Sequence, residues 1–246
     1  MELHQFEFSH FNEKARWALD YKGISHTRNS YLPGPHIPAI KKITGQTQTP
    51  VLQIEGDFTP GSAEIIARLE QLHPTPSLYP ANDDDLTRAL ALQTELDEQL
   101  GPAARTVIFS GLINEPDYLV SMFGKSNGLL KRTLYRATYP MAKRLMAQGN
   151  GVDNQANIDH SFASVQAWLD RIQGELGEND YLVANQFSVA DLTAASLLAP
   201  IANVSHPDMA RPKPIPSSVQ QIIDGFIEHP TIQWVQTIYE RHRPAV

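Results

Sequence analysis

Ser9-His10-Phe11-Asn12-Glu13-Lys14-Ala15-Arg16-Trp17-Ala18-Leu19 is the stretch on which the fold turns. Upstream of it, residues 2–8 (Glu-Leu-His-Gln-Phe-Glu-Phe) alternate well enough to read as a strand. From Phe11, the apolar positions Ala15, Ala18 and Leu19 fall at helical spacing, and Gly23 suits the position just past a helix end. Ser9 therefore stands at a strand-to-helix junction. A serine there is a good N-cap, because its oxygen accepts from a first-turn N–H that has no helical partner. The same place also suits chemistry. A helix N-terminus carries free donors and a partial positive charge, and a hydroxyl beside it can stabilise a thiolate and lower the pKa of a bound thiol.

Reading outward, residues 25–32 form a second, more polar strand. Pro33-Gly34-Pro35 makes a loop, and a short helix runs to about Ile43. Thr49-Pro50-Val51-Leu52-Gln53-Ile54 is a third strand with Pro50 near its start, where a missing N–H is tolerated. Glu55-Gly56-Asp57 is a tight turn into a short fourth strand at Phe58-Thr59, and Ser62 to Leu72 is helical. Ser62 reads as another N-cap, or as a hydroxyl that holds a carboxylate together with the N–H groups of its helix. The order is β-α-β-α-β-β-α.

The stretch His73 to Pro80 holds three prolines, so no helix continues through it. Asp83-Asp84-Asp85 suits a helix N-terminus, and from there on no convincing strand remains. The periodicity predicts helices over about 85–110, 116–149, 154–176, 188–202, 216–228 and 230–242, with a proline-rich loop from Ser205 to Pro216. Ser188-Val189-Ala190-Asp191 is a capping box. Arg241-His242-Arg243 suits the end of the last helix.

Composition removes several classes of function. A formal net charge of −7 speaks against nucleic acid or an anionic membrane as the main partner. The absence of cysteine excludes disulfides, thiolate metal sites and a protein thiol nucleophile. Any reactive thiol must arrive with a ligand. The nine histidines form no close metal-binding pair, and neither a dinucleotide nor a phosphate-loop motif occurs. No apolar run reaches the roughly 18 residues of a membrane span. The N-terminus lacks the charged and apolar regions of a signal peptide, so the expected location is cytoplasmic.

Taken together, Ser9, Pro50 and Ser62 resemble the glutathione transferase superfamily. The 9–19 segment resembles that family's active-site segment, Thr49-Pro50-Val51-Leu52 its Val-Pro-x-Leu turn with a cis proline, and Gly61-Ser62-Ala63-Glu64-Ile65-Ile66 its acid-Ser-x-x-Ile turn. Tyr181 to Leu192 is similar to its helical-domain signature. The resemblance covers nearly the whole chain; residues 109–146 match no motif of the family. It implies a thioredoxin-like α/β N-terminal domain at 1–76, a linker at 77–83 and an all-α helical domain at 84–246.

By the same resemblance, Ser9 is the catalytic residue of a serine-type transferase. It would donate to the glutathione sulfur, whose thiolate attacks a small electrophile. Asn12, Thr49, Pro50, Gly61 and Ser62 would hold glutathione, and His10, Phe11, Phe109 and Tyr135 would line the second-substrate side. A homodimer with a detoxifying role is the family expectation. Two departures stand out. Gly61 replaces the acid that usually precedes the turn serine, and no tyrosine ends the first strand. The first keeps open a non-catalytic binding or scaffold protein. A glutathione-dependent isomerase, lyase or dehalogenase, in which the thiolate adds and later leaves, is also open.

Overall fold

The structure is a computed structural model, and it describes residues 1–245. The first part consists of β1 (Glu2–Gln5), α1 (His10–Tyr21), β2 (Thr27–Ser30), α2 (Ile37–Thr44), β3 (Val51–Ile54), β4 (Asp57–Pro60) and α3 (Ser62–Leu72). This is the expected order. The four strands form one sheet in the order β2-β1-β3-β4, with β1 and β2 parallel and the remaining pairs antiparallel. Glu55 and Gly56 both have positive φ and close the β3–β4 hairpin in two residues, pairing Ile54 with Asp57. That is the turn whose twist matches two antiparallel strands. The first strand ends at Gln5 rather than Phe8, so Phe6 and Phe8 belong to the loop that leads to Ser9.

The remainder is helical: α4 (Asp83–Glu95), a π-helical turn (Leu96–Leu100), α5 (Gly101–Leu112), α6 (Pro116–Phe123), α7 (Leu129–Gly149), α8 (Gln155–Leu176), α9 (Val189–Ala202), α10 (Ser217–Phe226) and α11 (Pro230–His242). The sequence reading differs in two places. The helix expected over 85–110 is interrupted by the π-helical turn and runs on to Leu112. The helix expected over 116–149 breaks at residues 124–128, where Gly124 and Gly128 flank Lys-Ser-Asn and helix propensity is low. Among the described residues no helix is long and apolar enough to cross a membrane.

α9 is buried along its whole length and carries the packing of the helical part. The expected capping box is present at its start. Asp191 accepts from the backbone N–H groups of Leu182 (2.8 Å) and Ser188 (2.9 Å), and the Ser188 hydroxyl caps the helix. Burial raises the Asp191 carboxyl to about 6, against the lowering effect of these bonds.

α1 lies between α3 on one side and α9 on the other. Its apolar residues Ala15, Trp17, Ala18 and Leu19 are fully buried, but so are Glu13 and Lys14, and Arg16 nearly so. A charge in such a place needs a partner. Lys14 Nζ pairs with Asp97 at 2.5 Å, and Arg16 Nε pairs with Glu13 at 2.9 Å. Arg243, just beyond α11, reaches Glu13 (2.8 Å), Asp20 (2.8 Å) and Asp208 (2.7 Å). Arg243, the C-cap residue of α11, is thus also the hub of a buried network that ties the end of that helix to α1. Lys22 pins the proline-rich connection by donating to the carbonyls of His73 and Pro76, each at 2.8 Å.

Removing one partner from a buried network leaves uncompensated charge. Arg243→Ala is expected to destabilise the fold by about 4 kcal/mol, seen as a lower midpoint in urea denaturation.

Candidate active site

Ser9 occupies the N-cap position of α1 in extended conformation, with φ −152° and ψ 128°. Its hydroxyl does not cap the helix. Instead the Asn12 side-chain amide donates to Ser9 Oγ at 2.8 Å and to Thr49 Oγ1 at 3.2 Å. With the Asn12 amide oriented this way, Ser9 Oγ is an acceptor within the protein and its own proton is free for a ligand. No side chain takes the first-turn N–H groups of α1. They remain available to an anion, with the positive end of the helix behind them.

The second loop joins the same place. The Thr49–Pro50 peptide bond is cis. Asn12 ties Thr49 to Ser9, and the Pro50 carbonyl accepts from Gly61 N–H at 3.0 Å. Gly61 is the N-cap of α3 with φ 92° and ψ 138°, a conformation that L side chains rarely adopt, and Ser62 follows as the first helical residue, buried. No side chain caps α3 either. The three segments that lie far apart in sequence, 9–12, 49–50 and 61–62, are therefore linked by hydrogen bonds around two open helix N-termini.

Gly61 has a further reason to be glycine. A Cβ at this position would lie 2.1 Å from Glu64 Oε2. The Glu64 carboxylate folds back over the turn and fills the space that a side chain at 61 would take. The sequence reading noted a missing acid at 61; the structure puts a carboxylate there from three residues downstream.

The residues expected on the second-substrate side separate. His10 turns into the helical part, where its Nε2 lies 2.9 Å from the Gly101 carbonyl. Burial, helped by the nearby charge of Arg105, pushes His10 down to about 3. Phe11 lies against Gly101, so closely that a Cβ there would be 2.4 Å from its ring. Both residues fill the seam between α1 and α5. Tyr135 is buried on α7, with its hydroxyl 3.7 Å from Met146 Sδ and its pKa raised by burial.

Phe109 belongs to an aromatic group that does reach the Ser9 loop. Its ring lies 6.2 Å from that of Phe123, which in turn lies 6.3 Å from Phe6 and 6.4 Å from Phe8. The sequence reading missed Phe6, Phe8 and Phe123. The first two were absorbed into a strand that ends three residues earlier, and their signal was position alone, next to Ser9. Among the described residues no His/Asp/Glu group is placed to hold a metal ion.

A four-stranded α/β unit with an open helix start beside a cis proline, followed by an all-helical remainder, is the thioredoxin-like plus helical architecture of the glutathione transferases. Residues 3–77 match the family model of the glutathione S-transferase N-terminal domain. No curated protein matches it by sequence. Solved structures match its fold. The β-etherase LigF from Sphingobium sp. strain SYK-6 is 19% identical, with a TM-score of 0.64 over 95% of this chain and 97% of that one. A glutathione S-transferase from Methylobacillus flagellatus KT, with glutathione bound, is 16% identical, with a TM-score of 0.66 over 98% and 94%. One from Methylobacterium radiotolerans JCM 2831, in complex with glutathione sulfonate, is 16% identical, with a TM-score of 0.56 over 100% and 95%.

His10 makes a specific pH prediction. With its folded pKa at about 3 and its unfolded value near 6.5, the unfolded chain binds the extra proton between these limits. Its contribution is complete above pH 6.5 and is lost as pH falls toward 3, at about 1.4 kcal/mol per pH unit. His10→Asn should flatten the acid limb of the stability–pH curve by that slope, whatever it costs in packing at neutral pH.

Proposed function

We propose that the chain is a glutathione-dependent transferase of the serine type, with Ser9 as the group that faces the glutathione sulfur. The observation that carries this reading is the Asn12 bridge. By donating to both Ser9 Oγ (2.8 Å) and Thr49 Oγ1 (3.2 Å), Asn12 fixes the Ser9 oxygen and leaves its proton to be given outward. Support comes from the match of residues 3–77 to the transferase N-terminal family and from neighbours of the same fold, one with glutathione bound and one in complex with glutathione sulfonate.

In this mechanism the thiol gives up its proton to solvent as it binds. The Ser9 hydroxyl donates to the thiolate, and the open first turn of α1 adds its field. Free thiols titrate near 8.5, so a modest lowering makes the thiolate the main species at neutral pH. The thiolate then attacks an electrophilic carbon held against the Phe6–Phe8–Phe109–Phe123 group. Thr49 offers its backbone to the cysteinyl part, and the Ser62 hydroxyl with the first N–H groups of α3 takes the γ-glutamyl carboxylate. Glu64, folded over Gly61, supplies the negative charge for the γ-glutamyl ammonium that an acid at 61 would otherwise supply. The homodimer expected from the family is part of the same proposal.

Ser9→Ala should lower kcat/KM with 1-chloro-2,4-dinitrobenzene about 100-fold, the usual cost of one donor to a developing anion, with retention on immobilised glutathione preserved. Following free thiol during turnover separates the classes: a transferase consumes one per product, whereas an isomerase regenerates it. A protein that neither binds glutathione nor changes on Ser9→Ala would be a scaffold instead.

Glu64→Gln should raise the KM for glutathione about tenfold, the worth of one charge-assisted bond, with kcat little altered. An unchanged KM would remove Glu64 from the site.

A further inference from the structure

α7 carries no residue that the proposed mechanism uses, and most of it lies in the stretch that matches no motif of the family. It packs on α6 and buries Tyr135, Tyr139 and Met146. Its outer face is apolar as well. Among the described residues, eight large apolar side chains are more than a third exposed, and five of them stand on this helix: Leu129 (79%), Leu130 (84%), Leu134 (63%), Met141 (83%) and Leu145 (72%). At about 100° per residue, the last four fall within about 60° of arc, on the side away from Tyr135, Tyr139 and Met146. Single exposed leucines are ordinary, but a contiguous stripe of them marks a contact. A helix that is apolar on two sides needs a cover on both.

The stripe is symmetric about its own centre. Leu134 and Met141 each stand three and a half residues from the midpoint between Ala137 and Thr138, and Leu130 and Leu145 each stand seven and a half. Those distances are about one and two turns of helix. At the midpoint the side chains are small, and both residues are exposed. The Thr138 hydroxyl donates to the Leu134 carbonyl (3.0 Å), so it asks for no partner outside its helix. A two-fold interface uses the same patch on both copies, and residue i meets j where j meets i. A second α7 laid antiparallel over the first, with the axis at this midpoint, sets Leu134 against the partner's Met141 and Leu130 against the partner's Leu145, each contact made twice. Ala137 and Thr138 then lie where the helices cross, and small side chains there let them approach.

From this symmetry we infer that the outer face of α7 is a docking surface for a second copy of the chain, met antiparallel across a two-fold axis. The inference names the face of the homodimer in the proposed function and rests on that part of it alone; it asks nothing of Ser9. α7 carries five basic residues and no acid. Arg136 is paired with Asp117, and Lys143 donates to Asn114 (2.7 Å). Lys131 and Arg144 flank the stripe on opposite edges. Like edges face each other in an antiparallel pair, so these two charges do not meet. An anionic membrane would suit the basic flanks, but the net charge of −7 on the whole chain opposes it. The face is about 30 Å long and about 10 Å wide, about 300 Å² in projection. That is the size at which an exposed apolar patch points to a partner, and it is well under the ~800 Å² per copy of a stable interface. The pair therefore forms and parts with concentration.

Sedimentation velocity on the full chain tests this without reference to activity. Wild type is expected as monomer and dimer in exchange over micromolar concentrations. Leu134→Glu buries a carboxylate twice per dimer and should weaken association about 100-fold. Its urea midpoint should stay that of the wild type, because residue 134 is exposed in the single chain. Added salt should tighten the pair by screening like charges, whereas it would loosen contact with an anionic surface. The chain has no cysteine, so an introduced one reports position. Ala137→Cys, beside the axis, should form an intermolecular disulfide when oxidised with diamide. Gln148→Cys should not, since antiparallel pairing carries the two copies of residue 148 about 30 Å apart. A wild type that stays monomeric at submillimolar concentration overturns the inference and the homodimer with it. A dimer that Leu134→Glu leaves intact, or one that cross-links through Gln148→Cys and not through Ala137→Cys, overturns this face and leaves the homodimer standing. Binding of the monomer to phosphatidylglycerol-containing vesicles, lost in Leu134→Glu, would assign the face to a membrane and overturn the inference as well.

Discussion

The structure depends on one constraint: α1 is enclosed on all sides although it carries Glu13, Lys14 and Arg16. Charges in that position hold only in fixed geometry, because each one left unpaired costs several kcal/mol. Their partners come from far away in the chain: Asp97 from the π-helical turn, Asp208 from the loop after α9, and Arg243 from the end of the described chain. The π-helical turn puts Asp97 under Lys14 and leads directly to the Gly101 carbonyl that meets His10. Such a network adds little net stability compared with an apolar core, but it admits one arrangement and no sliding. The start of α1, and Ser9 with it, is therefore held against both halves of the molecule.

That rigidity gives the site its character. The useful donors are the unmade bonds of two helices, α1 and α3, left open at their N-termini. Side chains close the starts of four other helices, with Asn82 on α4, Asn154 on α8, Ser188 on α9 and His229 on α11, whereas α2, α5, α6, α7 and α10 are uncapped like α1 and α3. A donor that is already in place needs no reorganisation when charge develops on a ligand. Asn12 joins the two loops by donating to both Ser9 and Thr49. Gly61 contributes through its backbone and through the room it leaves for Glu64.

The sequence made the order of elements legible, because period-two and helical patterns alternate cleanly over the first 72 residues and turn signals sit between them. It also made Ser9, Pro50 and Ser62 legible as a set, since their spacing carries the resemblance, and the structure links all three through Asn12 and Gly61. What stayed hidden depended on distance. Arg243 pairs with Glu13 across 230 residues, and no local pattern marks that. Arg241 and His242 stand in the last turn of α11 and Arg243 at its cap, as the local sequence suggests, but nothing local marks the ion pairs of Arg243 with α1. The break between α6 and α7 was available in Gly124 and Gly128, but the apolar periodicity on either side ran across it. Glu64 over Gly61 required the backbone conformation itself.

The most direct test of the account is the ionisation of glutathione on the protein, followed by the thiolate absorbance of the binary complex as pH is raised. The midpoint is expected clearly below that of free glutathione, returning most of the way to the free value in Ser9→Ala. A bound thiol that titrates as it does in water, or a lowered midpoint that Ser9→Ala leaves unmoved, would contradict it.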